Sequence, residues 1–140
     1  MKSALLDVNV LLALAWPNHQ HHAQAQAWFA ANADLGWATC ALTQVGFVRL
    51  SSNPAFTPNS VSPRNAAALL GQWTAHSGHQ FLESPPADES PIFANAIGHQ
   101  QVTDAWLVEV ARRSKGSLVT LDKRAAAHDM TRGLVEIIPT

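Results

Sequence analysis

Residues 3–14 read SALLDVNVLLAL, and this segment is the most informative one about the fold. A short apolar run, residues 3–6, ends at Asp7, and a second apolar run begins directly after it at Val8. A buried strand that leads straight into an apolar helix has this pattern. The segment therefore predicts a first strand that ends at a carboxylate, followed at once by a helix.

Strand and helix patterns alternate along the rest of the chain. Thr103 is predicted to cap one helix, and Gly116 is predicted to end it. Strands separated by helices are typical of a parallel sheet with helices on both faces. We therefore predict a single α/β domain over residues 1–140, with three α/β/α layers and four or five short strands. Helices are predicted at about 20–32, 42–50, 63–76, 92–97 and 103–115, and strands at 37–40, 80–82, 117–121 and 134–138.

Composition excludes several classes of protein. The chain has 9 Lys and Arg against 10 Asp and Glu, so bulk electrostatic attraction to nucleic acid is not expected. The single cysteine, Cys40, excludes an internal disulfide framework and a cysteine-rich zinc site. The apolar stretch at residues 4–16 contains Asp7 and Asn9 and is shorter than the ~20 residues of a membrane helix. We expect no membrane association and a cytoplasmic location.

Three carboxylates occupy similar places in the predicted fold. Asp7 ends the first strand, Asp122 ends the fourth, and Asp104 opens a helix directly after Thr103. Ligands of an open parallel sheet bind beyond the carboxyl ends of its strands, so these side chains are expected to share one pocket. The simpler interpretation is that Asp7 and Asp122 are turn residues and that Asp104 complements a helix dipole.

Carboxylates that converge in one pocket repel each other unless a cation lies among them. Oxygen ligands without His or Cys favour a hard ion such as Mg²⁺, with Mn²⁺ as a substitute. Such an ion supports phosphoryl chemistry. Asp7, Asp104 and Asp122 are therefore the predicted metal ligands and the predicted catalytic residues.

The chain resembles the PIN-domain ribonucleases in four segments that occur in the family's order. Residues 37–50, followed by Asn53 and Pro54, are similar to one branch of the VapC toxins. The resemblance spans nearly the whole chain and implies a PIN-like fold and Mg²⁺-dependent cleavage of RNA. It also implies a homodimer and inhibition by a cognate VapB antitoxin. The segments are LLDVNVLL at 5–12, WATCALTQVGFVRL at 37–50, VTDAWL at 102–107 and LVTLD at 118–122.

One position departs from the family pattern. The family usually has Glu on the helix after the second strand, and the resemblance assigns this position to Gln44. Gln44 would then orient a water or a phosphate beside three carboxylates, or its missing charge would weaken metal binding and catalysis. Asn9 and Thr120 are expected to line the pocket behind the carboxylates, and Thr43 and Thr103 are candidates for the same role.

Two other functions remain open. A catalytically silent PIN-like module would bind RNA or protein without cleaving it, and Gln44 favours that alternative. A phosphoaspartyl enzyme also places an Asp at a strand end, but it needs a second acidic residue close by and a Lys at a matching strand end. Residues 7–9 contain no second acidic residue, and no Lys lies at the matching strand end.

Several conspicuous side chains have simpler explanations than ligand binding. His19, His21 and His22 lack the geometry of a transition-metal site and are interpreted as a polar first turn near the site entrance. Trp16 and Trp37 lie at the ends of elements, where stacking on RNA bases is the alternative to packing. His99, a loop histidine, is a weaker candidate for contact with RNA phosphate. Asp129, which lies beyond Asp122 in the sequence, is a weaker candidate for an outer ligand of the metal. A basic cluster near the acidic edge includes Arg124, which either contacts RNA or is simply solvated.

Overall fold

The computed structural model describes residues 3–88, 90–94, 96–128 and 133–140, and these form a five-stranded parallel sheet with helices on both sides. The strand order is β3-β2-β1-β4-β5. The predicted α/β class, the parallel pairing and the number of strands are confirmed. The strands are β1 (Ala4–Leu6), β2 (Trp37–Cys40), β3 (His79–Leu82), β4 (Ser117–Thr120) and β5 (Val135–Ile137), and the helices are α1 (Val8–Ala15), α2 (His22–Asn32), α3 (Ala41–Ser51), α4 (Pro63–Thr74) and α5 (Val102–Arg113).

Strand β1 forms the middle of the sheet. Its Leu5 pairs with Ala38 of β2 on one side and with Leu118 of β4 on the other. Leu5 and Leu6 are fully buried, and successive residues of a strand face opposite sides of the sheet. Leu6 belongs to the core under α1 and α2, whereas Leu5 belongs to the core under α5. This division produces the three layers.

Helix α5 begins differently from the prediction. A turn of 3₁₀ helix at His99–Gln101 leads into α5, whose N-cap residue is Gln101, so Thr103 lies inside the first turn and is not the cap. The predicted helix at 92–97 is a shorter 3₁₀ turn, Ser90–Phe93. Gly98, a residue type that disfavours helix, has extended backbone with φ −159° and ψ −177° and separates this turn from the next 3₁₀ turn.

The end of α5 also differs in detail. Lys115, not Gly116, has the positive φ of 61° that closes the helix. Gly116 is required for a different reason, since a Cβ atom there would lie 1.9 Å from the backbone oxygen of Ser3. The Ser117 N–H donates to that same oxygen, so the close approach joins β4 to the start of β1.

None of the helices in the described part of the chain is both long enough and apolar enough to span a membrane.

Candidate active site

A cavity of about 480 Å³ lies at the carboxyl edge of the sheet. Asp7, Asp104 and Asp122 all line it, which is the convergence that the strand ends predicted. Strands β1 and β4 are parallel neighbours, so the residues that follow them emerge side by side. Asp104 arrives from the first turn of α5.

Asp7 is held rigidly at the start of α1. Its Oδ1 accepts a hydrogen bond of 2.7 Å from the Val8 N–H, and its Oδ2 accepts one of 2.8 Å from the Thr120 hydroxyl. The residue is only 8% exposed. Burial raises the pKa of Asp7, the Thr120 bond opposes this shift, and the charges of Asp104 and Asp122 raise the pKa further. The negative charge on Asp7 is therefore costly in this cavity unless a cation offsets it.

Thr120 and Asn9 connect the two strand ends. Thr120 is fully buried, and its hydroxyl accepts hydrogen bonds from the Asn9 side-chain amide and from the Asp122 N–H, both at 3.1 Å. The Asn9 carbonyl oxygen accepts from the Leu121 N–H at 3.1 Å. The two residues thus lie directly behind Asp7 and Asp122 and fix how the two chain segments emerge from the sheet.

Asp122 is engaged by a neighbouring cation. Its two oxygens accept hydrogen bonds from Arg124 Nε at 3.1 Å and Nη2 at 3.0 Å. This guanidinium lowers the pKa of Asp122 and keeps the carboxylate charged. Asp104 is half-buried at the N-terminal end of α5, where the helix dipole stabilises its negative charge.

The donor set fits a hard divalent cation in chemistry, because the three carboxylates supply only oxygen ligands. Burial is the main reason that the pKa of Asp7 is raised, and the charges of Asp104 and Asp122, which add to the shift, would be offset by a cation. Among the residues that the structure describes, however, no three His, Cys, Asp or Glu side chains are close enough together to hold a metal ion. Both oxygens of Asp122 are instead bonded to the guanidinium of Arg124.

Gln44 does not join the carboxylates. Its side-chain amide donates a 3.0 Å hydrogen bond to Thr39, and the residue lines a separate cavity between α3 and α4. The face of α3 that approaches the acidic cavity carries Gly46, which packs against Val8, and Leu50. The expected role of Gln44 in orienting a water or a phosphate does not fit this placement.

Two other threonine candidates lie elsewhere. The Thr43 hydroxyl is fully buried and exchanges hydrogen bonds with the backbone of Cys40, closing the first turn of α3. Thr103 is exposed on α5. Asp129 lies outside the described residues, so its predicted outer position stays a prediction.

Some of the aromatic and histidine candidates line the acidic cavity, and others lie away from it. Trp37 is fully buried, so its predicted alternative of stacking on bases is wrong. His99 lines a different cavity, at residues 97–101. His19 and His21 do line the acidic cavity, in agreement with their interpretation as part of its entrance.

One contributor to the site was not predicted from the sequence. Phe56, from the loop between α3 and α4, lines the acidic cavity and is 47% exposed. The loop is recognisable in the sequence only as a proline-rich connection, and nothing in its composition shows which side of the sheet it covers. A phenylalanine that is exposed in a surface loop indicates a binding role, because binding residues are often found on loops.

Comparison with known proteins identifies relatives over most of the chain. The family model described as "PIN domain" matches residues 4–129. Ribonuclease VapC38 of Mycobacterium tuberculosis is 48% identical, with 85% of this chain and 84% of that protein covered. Ribonuclease VapC39 of the same species is 43% identical, with 97% and 99% covered. The crystal structure of PAE2754 from Pyrobaculum aerophilum superposes with a TM-score of 0.62 at 25% identity, over 97% of this chain and 84% of that one.

Proposed function

Since the chain belongs to the PIN-domain family, we propose that it is a Mg²⁺-dependent endoribonuclease and the toxin of a VapBC-type toxin–antitoxin system. The observation that supports this proposal is the cavity at the carboxyl edge of the sheet, whose lining includes Asp7, Asp104 and Asp122. The relatives named as VapC ribonucleases support RNA as the substrate.

The proposed metal ligands are Asp7, Asp104 and Asp122, with Mn²⁺ as a possible substitute for Mg²⁺. The chemistry that such an ion supplies is polarisation of a phosphate and activation of a water molecule. The chain's own residues prepare the site. Thr120 and the Val8 N–H hold both oxygens of Asp7, so this carboxylate needs no reorganisation when RNA binds. Asn9 keeps the Thr120 hydroxyl aimed at Asp7 by donating to it from behind.

The proposed partners are an RNA substrate, a VapB-type antitoxin that covers the cavity, and a second copy of the chain. Apolar side chains on the outer face of α3 support a homodimer, because Val45 is 64% exposed and Leu42 is 40% exposed. An interface that buries such side chains would be favourable. Light scattering after size-exclusion chromatography would distinguish a dimer from a monomer.

A catalytically silent RNA- or protein-binding module is the second candidate. It is favoured by the ion pair between Asp122 and Arg124 and by the lack, within the described residues, of a ready-made cluster of three metal-binding side chains. The two candidates differ in one respect that is simple to measure, because only the first cleaves RNA.

A cleavage assay tests the proposal. The wild-type chain is incubated with a pool of single-stranded RNAs in Mg²⁺, in Mn²⁺ and in excess chelator, alongside Asp7→Asn. The matched control is Asp34→Asn, which changes an exposed Asp outside the cavity. We expect cleavage by the wild type and the control with either metal, and none by Asp7→Asn or in chelator. Binding without cleavage by the wild type would instead establish the silent module.

A further inference from the structure

A second cavity, of about 290 Å³, adjoins the acidic one. The two share four lining residues, Leu12, His19, Gln20 and Phe56. A molecule that is bound beside the carboxylates can therefore also extend into the second cavity. For comparison, a cavity of roughly 150 Å³ accommodates a benzene ring, so the second cavity has room for a larger planar ring.

The walls of this side cavity are aromatic and held in place. The Trp16 indole N–H donates a 3.0 Å hydrogen bond to the hydroxyl of Ser51, a fully buried residue, which fixes the plane of the ring. Phe56 stands on a loop whose turn is closed by hydrogen bonds from the Phe56 and Thr57 N–H groups to the Asn53 oxygen. The Val61 N–H bonds back to Ser51 and anchors the end of that loop. The Trp16 ring and the backbone that carries Phe56 are thus held in place before any ligand arrives.

The rim of the side cavity is polar. Asn18 and Gln20 contribute side-chain amides, which carry both donors and acceptors. The His21 N–H donates to His19 Nδ1 at 3.0 Å, so a neutral His19 ring carries its proton on Nε2 and presents a donor there. An apolar slot with amide and imidazole groups at its edge is complementary to a planar heterocycle that has polar edges.

We propose that this side cavity is a binding subsite for one unstacked nucleobase of the RNA, next to the phosphate that lies among the carboxylates. The inference rests on the proposed function, since it takes RNA as the ligand. Single-stranded RNA is recognised by stacking its bases on aromatic side chains and by bonding their edges. Trp16 and Phe56 provide the stacking surface, and the amides of Asn18 and Gln20 provide contacts to the base edge.

The subsite is tested by measuring RNA affinity with and without bases. Fluorescence anisotropy compares a labelled single-stranded RNA of about 12 nucleotides with a ribose-phosphate strand of the same length that has no bases. Ca²⁺ replaces Mg²⁺, and a gel confirms that the strands stay intact. Phe56→Leu removes the ring, Phe56→Trp restores one, and Trp16→Leu removes the second aromatic ring of the cavity lining. Phe81→Leu is the matched control, because Phe81 is 52% exposed on β3 and lines neither cavity.

We expect Phe56→Leu to weaken binding of the base-containing strand about 5- to 150-fold, the range for loss of one stacked base. Its affinity for the strand without bases should stay unchanged, Phe56→Trp should bind like the wild type, and Phe81→Leu should have no effect. Trp16→Leu should behave like Phe56→Leu if circular dichroism shows that it folds.

Equal weakening on both strands, or no weakening on either, would overturn the subsite. Equal weakening would mean that the ring contacts the backbone or supports the fold. The nuclease proposal fails separately, because a wild-type chain that shows the base-dependent effect but does not cleave RNA in Mg²⁺ would retain the subsite and lose the activity.

Discussion

The Asp7 side chain is buried, accepts two hydrogen bonds and has two acidic neighbours. The hydrogen bonds from Val8 and Thr120 stabilise its charged form, but burial outweighs them and raises its pKa. A folded state with a raised carboxyl pKa binds a proton more tightly than the unfolded chain does. Stability from this group is therefore greatest below the ordinary value of 3.8 and is lost as the pH rises through the raised value.

Asp7→Asn should accordingly make the folded chain more stable at neutral pH in the absence of metal. The amide is uncharged, so it removes the cost of a buried charge, and its oxygen can still cap α1. Its NH₂ cannot accept the hydrogen bond that Thr120 donates to Asp7, which offsets part of the gain. Urea unfolding at about pH 7 and about pH 4 measures the effect, and the gain should shrink at the lower pH as the wild-type carboxylate becomes protonated. A variant that is less stable than the wild type at neutral pH would show that the charge on Asp7 does not destabilise the folded chain.

Arg124 is predicted to compete with a metal ion for Asp122. Removing the guanidinium with Arg124→Gln should raise the affinity for Mg²⁺, by less than about tenfold because exposed ion pairs are weak. Calorimetric titration measures the change, and Arg64→Gln on the exposed side of α4 is the control. If Arg124→Gln binds Mg²⁺ more weakly than the wild type, then Arg124 does not hold the carboxylate away from the ion.

The sequence was sufficient to predict the three carboxylates as a group, because each follows a strand end or begins a helix at one edge of a parallel sheet. It was not sufficient to predict the bond between Asp122 and Arg124. That contact depends on the 3₁₀ turn at Lys123–His128, which brings the Arg124 N–H and its side chain back toward the carboxylate. The backbone part of the contact, in which the Arg124 N–H donates to Asp122 Oδ1, is the turn role that the simpler interpretation gave Asp122; the side-chain bonds have no counterpart in the sequence pattern.

Helix α3 shows the limit of periodicity at the scale of an element. Its bounds were predicted within a residue or two, but its rotation was not. Phe47 is 1% exposed and Val45 is 64% exposed, although both are apolar. Because apolar residues occur on more than one side of this helix, its pattern does not show which side faces the sheet. Gln44 and Gly46 differ by about 200° around the axis, so the family resemblance, which assigned the site position to Gln44, selected a residue on the other side of the helix.

Gln44 instead belongs to a chain of hydrogen bonds that ties α3 to β2 and β3. Its amide donates to Thr39, and Thr39 lies 2.8 Å from His79 Nε2. Burial lowers the pKa of His79, while a bond to the Thr74 backbone opposes the shift. Thr39 Oγ1 and His79 Nε2 share this hydrogen bond, which joins β2 to β3. Because the pKa of folded His79 lies below the ordinary 6.5, the stability from this group is complete above that value and is lost as the pH falls through the lowered one.

Gln44→Glu should therefore leave Mg²⁺ affinity unchanged and reduce stability by about 1 kcal/mol, because the donor to Thr39 is lost. Calorimetry and urea unfolding of the same preparation measure both quantities. A clear rise in Mg²⁺ affinity would show that residue 44 faces the carboxylates after all.

Two glycines provide a matched pair for the junction between α5 and β4. Gly116→Ala should destabilise the fold by about 1–3 kcal/mol, since its Cβ would overlap the Ser3 carbonyl that pairs with β4. Gly71→Ala should stabilise it by about 0.5–1 kcal/mol, because nothing lies within 4 Å and alanine favours the helix. Thermal unfolding of the two variants should shift in opposite directions, and a neutral Gly116→Ala would disprove the close approach.

Across the whole molecule, the order of the strands brings distant carboxylates together. Asp7 and Asp122 are far apart in sequence, and they meet because β1 lies beside β4 in the middle of the sheet. The number of strands and their parallel pairing followed from the alternation of elements, whereas their order did not, because periodicity carries no information about neighbours. The single domain over residues 1–140, the cytoplasmic location and the homodimer stay predictions.

Calorimetric titration of Mg²⁺ into the wild type and into Asp7→Asn, Asp104→Asn and Asp122→Asn tests most directly whether the three carboxylates hold one ion. Each substitution should lower the affinity at least about tenfold, since even indirect partners of a metal contribute that much. The exposed Asp34→Asn should bind like the wild type. A wild-type chain that binds no Mg²⁺, or any one of the three variants that binds it as tightly as the wild type, would contradict the proposed site.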